Sequence, residues 1–163
     1  MRNIKEFQIL DLNAVSKGYD IFTLMKNAGR EVSKHIVSTF SESELFLFVC
    51  GRGNNAGDGY VAASILHNEG LNVKIINAAG EPKSLPKDAL KLYQGEIVGQ
   101  SFLDQASKES TLLVDCLLGS GIKGEPRDDF LTIINKINNF SKILSIDVPS
   151  GFMKKTSVLA TQT

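Results

Sequence analysis

Leu45–Asn68, LFLFVCGRGNNAGDGYVAASILHN, constrains the fold of this chain more than any other stretch. Leu45 to Cys50 is an unbroken apolar run, the pattern of a strand buried on both faces. Gly51-Arg52-Gly53-Asn54-Asn55-Ala56-Gly57-Asp58-Gly59 follows and reads as a loop, rich in glycine and in polar side chains. Val61, Ile65 and Leu66 then fall at helical spacing. Strand, glycine-rich turn and helix in that order present a binding loop at the carboxyl end of a strand.

The glycines fit the loose pattern G-x-G-x-x-G/A, which alone discriminates poorly among nucleotide binders. A dinucleotide site of the usual kind ends its second strand on an acidic residue that holds a ribose. Here Val73-Lys74-Ile75-Ile76 ends on Asn77. A phosphate-binding P-loop is excluded, because no Gly-Lys-Ser/Thr follows. A bare phosphate cradle needs little beyond backbone N–H groups, whereas this loop carries Asn54, Asn55 and Asp58. Such a loop suits a polar ligand together with a cation.

The rest of the chain extends the same alternation. Ile4 to Val15 forms an amphipathic segment ended by Gly18, and Asp20 is placed to cap a second helix with the stripe Leu24, Met25, Ala28, Val32 and Ile36. Strands are expected at Asn72–Ile76, Ile97–Val98, Thr111–Cys116 and Ile143–Ile146. Gly80 to Pro86 reads as a turn region, and helices are expected over Asp88–Gln94, Phe102–Ser107 and Asp128–Asn139. The fold class is therefore α/β: a three-layer, Rossmann-like, doubly wound and mainly parallel sheet with two extra N-terminal helices, in one domain over residues 1–163.

Eighteen basic residues balance eighteen acidic ones, which argues against a nucleic-acid or membrane-surface partner. No run suits a membrane span, and the N-terminus carries no apolar signal core, so the cytoplasm is the expected compartment. Cys50 and Cys116 each end a strand and are expected as small buried side chains in a reducing compartment. No Cys/His spacing suits zinc. His35 and His67 fall in helical patterns away from any loop, without a Ser or Cys neighbour for a triad.

In a parallel doubly wound sheet the carboxyl ends of all strands share one edge. Gly51–Gly59, Asp115 with Gly119–Arg127, and Asp147–Gly151 would therefore meet in one crevice. That crevice would hold Asn54, Asn55, Asp58, Asp115, Ser120, Lys123, Asp147 and Ser150, a set rich in hard oxygen and poor in soft ligands. Low charge density favours potassium over magnesium there, and Lys123 with the glycine N–H groups suits phosphates. Each residue also has an ordinary structural explanation. Asp58 suits a helix cap, Asp147 an Asx turn, and Ser150 turn chemistry. Asp115 is the exception, since an uncompensated carboxylate at a buried strand end is costly.

G-x-G-N-N-x-G-D-G is more specific than its glycines and resembles the G-N-N-G-G-D-G motif of the NAD(P)HX epimerase family, the YjeF N-terminal domain, with Ala56 at a usual glycine. Leu24-Met25-Lys26-Asn27-Ala28-Gly29 resembles its L-M-E-N-A-G, with Lys26 for Glu. Val114-Asp115-Cys116-Leu117-Leu118-Gly119-Ser120-Gly121-Ile122-Lys123-Gly124 is similar to V-D-A-L-F-G-T-G-L-x-G, and Asp147-Val148-Pro149-Ser150-Gly151 to D-I-P-S-G. The resemblance implies epimerisation of hydrated NADH and NADPH, whose S epimer passes to a separate dehydratase, in a homodimer; the alternative is a non-catalytic nucleotide- or protein-binding module of the same fold. It implies substrate contacts at Asn54, Asn55, Ala56, Gly57, Asp58, Gly119, Ser120, Gly121, Ile122, Lys123, Gly124, Glu125 and Asp147. It implies one potassium ion per subunit, held by Asn55, Asp115 and Ser150. For acid–base work Asp115 is the first candidate and Asp147 the second. Family members continue past Gly151 with strands that finish the sheet, so an unfinished edge is expected for the chain as given.

Overall fold

A computed structural model describes Gly18, residues 20–121, Pro126 and residues 128–151. The helix expected over Ile4–Val15, the loop positions Ile122 to Glu125 and Arg127, and the tail from Phe152 lie outside the described residues. The elements are α1 (Ile21–Phe40), β1 (Leu45–Cys50), α2 (Asn54–Asn68), β2 (Val73–Asn77), α3 (Ser84–Leu90), β3 (Glu96–Val98), α4 (Phe102–Gln105), β4 (Thr111–Cys116), α5 (Asp128–Ile137) and β5 (Lys142–Ser145).

All five strands are parallel, in the order β3-β2-β1-β4-β5. The chain works outward from β1 in one direction, then crosses back to place β4 on its other side. That reversal of strand order leaves a crevice above the carboxyl ends of β1 and β4. The apolar runs of β1 and β4 are explained by burial on both faces. Phe46, Phe48 and Cys50 join a core with Met25 and Ile36 of α1, Tyr60 and Leu66 of α2, and Ala89 of α3. Leu45, Leu47 and Val49 join a second core with Leu103 of α4 and Ile133, Ile134 and Ile137 of α5. The expected three-layer α/β sheet is what the chain forms.

Two helix starts differ from expectation, one for a packing reason and one for a backbone reason. α2 begins at Asn54, so Asn54–Gly59 is helix rather than loop. Gly53 is its N-cap, and the amide of Gly57 donates to Gly53 O at 3.2 Å. Gly57 and Gly59 serve close packing: a Cβ at Gly57 would lie 2.5 Å from the Met25 sulfur, and one at Gly59 2.5 Å from Cys116 Sγ. α3 begins at Ser84 rather than Asp88, with Pro86 inside its first turn. Proline is tolerated there because first-turn amides have no intrahelical acceptor to lose.

Asp20 caps α1 as expected, its Oδ2 accepting from the Thr23 amide at 3.0 Å. The buried stripe of α1 is Met25, Gly29, Ser33 and Ile36, and Ala28 is exposed. Small residues carry the stripe because α1 lies close on α2, where a Cβ at Gly29 would meet the Val61 side chain at 2.5 Å. Cys50 and Cys116 are paired in the β1–β4 register, and both are free and buried.

β1 leaves the sheet through Gly51, whose amide donates to Cys116 O at 3.1 Å. A Cβ there would stand 2.1 Å from Leu117 O, a backbone atom with no room to retreat. Gly51→Ala is therefore expected to lower stability by at least about 2 kcal/mol. Gly53→Ala, where a Cβ meets nothing within 4 Å, should shift it by less than about 1 kcal/mol. Urea unfolding of both variants checks the pair.

Candidate functional site

Asp115 comes next to last in β4, directly below the crevice, and is fully buried. Its carboxylate accepts four hydrogen bonds. Oδ1 takes the Leu117 amide at 3.1 Å and Ser150 Oγ at 2.6 Å, while Oδ2 takes the Ser150 amide at 2.8 Å and Ser145 Oγ at 3.2 Å. Burial still pushes its pKa above the ordinary carboxylate value, with the hydrogen bonds from Ser150, Leu117 and Ser145 opposing. One side chain thus ties the end of β4, the end of β5 and the Asp147–Ser150 turn into a single unit.

Ser150 continues the chain of contacts. Besides donating to Asp115, its Oγ accepts the Leu118 amide at 3.0 Å. On the other side of that peptide segment, Leu118 O accepts Asn55 Nδ2 at 3.1 Å. Asn55, Leu118, Ser150 and Asp115 are therefore linked in sequence, although they arise from α2, from the loop after β4, from the turn after β5 and from β4 itself. Asn55 Oδ1 is buried without a hydrogen-bond partner among the described residues. Leaving such an oxygen dry costs about 1–3 kcal/mol, so it marks a place for a donor or a cation.

Asp147 forms the rim. It is exposed and adopts φ 68°, a left-handed conformation that Asp tolerates better than most residues. Its Oδ2 accepts the Ser120 amide at 2.7 Å and lies 3.0 Å from where a Cβ on Gly119 would stand. The same position on Gly119 is 3.1 Å from Asn55 Cβ, so Gly119 fills the gap between Asn55 and Asp147. Behind Asp147 a cleft of about 280 Å³ is lined by Glu31, Val32 and His35 of α1 and by Leu144, Ser145 and Ile146.

The structure thus brings together Asn55, Asp115, Gly119, Ser120, Asp147 and Ser150. Asn54 is exposed at the start of α2, and Gly121 has open space around it. Ala56 and Gly57 turn inward, Ala56 into the core and Gly57 against Met25 and Pro86. Asp58 lies in the second turn of α2, beyond the cap position. Ile122, Lys123, Gly124 and Glu125 fall outside the described residues. His35, expected away from any loop, instead shares the cleft with Asp147. Helical spacing alone carries no signal that would place Glu31, Val32 and His35 against a turn more than a hundred residues later in the chain.

A doubly wound parallel sheet with a buried, fully bonded carboxylate under its switch point, and an oxygen-lined rim above, defines an α/β domain with a candidate ligand site at the carboxyl edge of its sheet. Residues 22–162 match the model of the YjeF-related protein N-terminus, and the chain belongs to that family. It is 31% identical over 160 residues to the bifunctional NAD(P)H-hydrate repair enzyme Nnr of Methanopyrus kandleri, covering 90% of this chain and 32% of that protein. To the corresponding Escherichia coli enzyme it is 32% identical, covering 85% and 28% respectively. To the NAD(P)H-hydrate epimerase of Plasmodium vivax it is 38% identical over 139 residues, covering 82% and 48%. The chain thus spans about a third of the bifunctional relatives. The fold is also that of the crystal structure of yeast ynu0, with a TM-score of 0.79, 24% identity, and coverage of 90% of this chain and 69% of that one.

Ser150→Ala removes one bond to a buried carboxylate and one from Leu118. It is expected to destabilise the protein by about 2–3 kcal/mol, the range for bonds to charged groups. Ser38→Ala, an exposed hydroxyl on α1 bonded to His35 O, should change stability by less than about 0.5 kcal/mol. Thermal or urea unfolding of the two variants side by side tests whether Ser150 is an anchor.

Proposed function

We propose that this domain is an NAD(P)H-hydrate epimerase, an isomerase that interconverts the R and S epimers of NADHX and NADPHX. The observation that carries the reading is the linked set Asn55–Leu118–Ser150–Asp115 beneath an exposed Asp147. It puts a buried negative charge and an exposed carboxylate at one crevice. The names of the relatives support the same chemistry.

The substrate carries a hydroxyl on the ring carbon bonded to the reduced nicotinamide nitrogen. Protonating that hydroxyl lets it leave as water, and the nitrogen lone pair delocalises the resulting ring cation. Water then adds to the opposite face and returns one proton, so the ring ends as its epimer with no net change in atoms or electrons. The protein must therefore give a proton, take one back, and favour a cation in between.

Geometry divides these tasks. Asp147 is the carboxyl group exposed at the rim, and we assign it the proton transfers. Asp115 is enclosed with every acceptor position taken, so its role is to supply negative charge and to hold the turn that presents Asp147. On this reading Asp147 becomes the first acid–base candidate and Asp115, first in the sequence reading, the second.

The donor set also suits potassium. Asn55 Oδ1 is an orphaned buried oxygen, and Asp115 and Ser150 are hard-oxygen groups joined to it through Leu118. Of the three residues expected to hold the ion, Asn55 and Ser150 would be its ligands, and Asp115, whose acceptor positions are taken, would act on it through its charge; the ion would compensate that charge and fix the loops. We further read the domain as a homodimer working ahead of a dehydratase that consumes the S epimer.

Asp147→Asn is expected to slow epimerisation of purified protein at least about 100-fold, the ordinary contribution of a positioned acid–base group. It should leave the unfolding transition near that of the wild type. Chromatographic separation of the NADHX epimers over time reads the rate, and full-speed turnover by the variant would refute the assignment. Separately, potassium should raise the melting temperature of the wild type above its value in lithium at equal ionic strength. Asn55→Leu should abolish that difference, and equal melting in both salts would rule out the ion site.

A further inference from the structure

The carboxyl edge of the sheet runs on from β4 and β1 to β2, and the end of β2 is not used by the reactions above. β2 ends at Asn77, paired in register with Cys50 at the end of β1. Asn77 does not swing freely. Tyr60, buried in α2, donates its hydroxyl to Asn77 Oδ1 at 2.9 Å, with Gly51 O as the alternative acceptor at 3.3 Å. One hydroxyl thus joins the end of β2 to the start of the turn after β1. With Oδ1 held inward, the amide presents its Nδ2 hydrogens, which have no partner among the described residues.

Arg52 follows Gly51 directly. It is exposed, and among the described residues it has no ion-pair or hydrogen-bond partner. Beyond β2, Glu81 is occupied by Lys87 at 2.9 Å, so its charge is compensated. The neighbouring ends of β1 and β2 therefore offer an exposed guanidinium without a partner among the described residues and a fixed amide donor, where a carboxylate would be expected in a site that selects an unphosphorylated ribose. Strands stand about 4.8 Å apart, so β2 lies roughly 10 Å from β4 across the edge. A dinucleotide with its nicotinamide ring at Asp147 extends over that distance.

We propose that Arg52 and Asn77 form a subsite for the 2′-phosphate of the adenosine half, making this domain selective for the phosphorylated substrate, NADPHX, over NADHX. Arg52 pairs with the phosphate through charge-assisted hydrogen bonds, and Asn77 donates one more. Tyr60 is a positioning residue, which keeps the amide turned donor-outward. The inference rests on the proposed epimerase reading, since that reading puts the reacting ring at the other end of the crevice.

The test measures binding and turnover separately. Calorimetric affinities for NADP+ and NAD+ are compared in the wild type, in Arg52→Ala and in Asn77→Asp. The wild type should bind NADP+ about 10- to 100-fold more tightly than NAD+, the range for one charge-assisted contact pair. Arg52→Ala should remove most of that ratio, and Asn77→Asp should invert it by setting a carboxylate against the phosphate. Equal affinities in the wild type, binding of neither dinucleotide, or a ratio that survives Arg52→Ala would each overturn the subsite. So would an equal loss for both ligands in Arg52→Ala, which would place the guanidinium on the shared diphosphate. Epimerisation without a preference between NADPHX and NADHX would sink the subsite and leave the epimerase reading standing. A selective binder that never epimerises would do the reverse.

Discussion

The buried carboxylate of Asp115 is the interaction on which the crevice depends. A charge in that position is tolerable only because four donors converge on it. Those donors come from three places in the chain, and satisfying one carboxylate fixes all three against each other. Leu117 and Leu118 are held over the end of β4, Ser145 at the end of β5, and Ser150 after the turn. Without this anchor, two loops that meet only at their tips would each have to be ordered by their own contacts.

The sheet order explains why such an anchor is possible. β4 lies beside β1 and β5 beside β4, so the turn after β5 and the loop after β4 leave the same edge as neighbours. Ile146 N donates to Asp115 O at 3.0 Å, extending the strand contact to the point where the chain turns. α2 starts on the other side of the same edge and brings Asn55 to Leu118. The tight fit of Gly51 under Leu117 O lets β1 and the loop after β4 cross without a gap. These are backbone approaches, and they set how far apart the side chains above them stand.

Much of this was legible in the sequence. The apolar runs Leu45–Cys50 and Leu112–Val114 can hardly be anything but the cores of doubly buried strands, and the strands built on them, Leu45–Cys50 and Thr111–Cys116, have the boundaries read from the sequence. The polar residues after the strands share an edge because parallel topology requires it. What was not legible came from glycine and from distance. Glycines at 57 and 59 look like a loop in one dimension, yet in the fold they are positions where a helix presses against Met25 and Cys116. Pro86 looks like a helix breaker, and it is one only outside the first turn. His35 and Glu31 carry no local mark of their neighbourhood, because the turn they face comes from the far end of the sheet.

The two carboxylates illustrate why residue type and spacing stop short of assigning roles. From sequence alone, Asp115 and Asp147 both end strands and both precede glycine-containing loops, and burial made Asp115 the more pointed candidate. The coordinates separate them by what surrounds each oxygen. Every acceptor site on Asp115 is filled by a donor that also holds the backbone, so moving a proton there would disturb the anchor itself. Among the described residues Asp147 has its Oδ2 engaged by a single amide, and it stands at the surface, in a left-handed turn that the Asp115–Ser150 bonds hold in place. A group that must exchange protons with a ligand needs a free lone pair and access to it. A group that must keep a crevice in shape needs neither, and the division of roles proposed above rests on that difference between the two carboxylates.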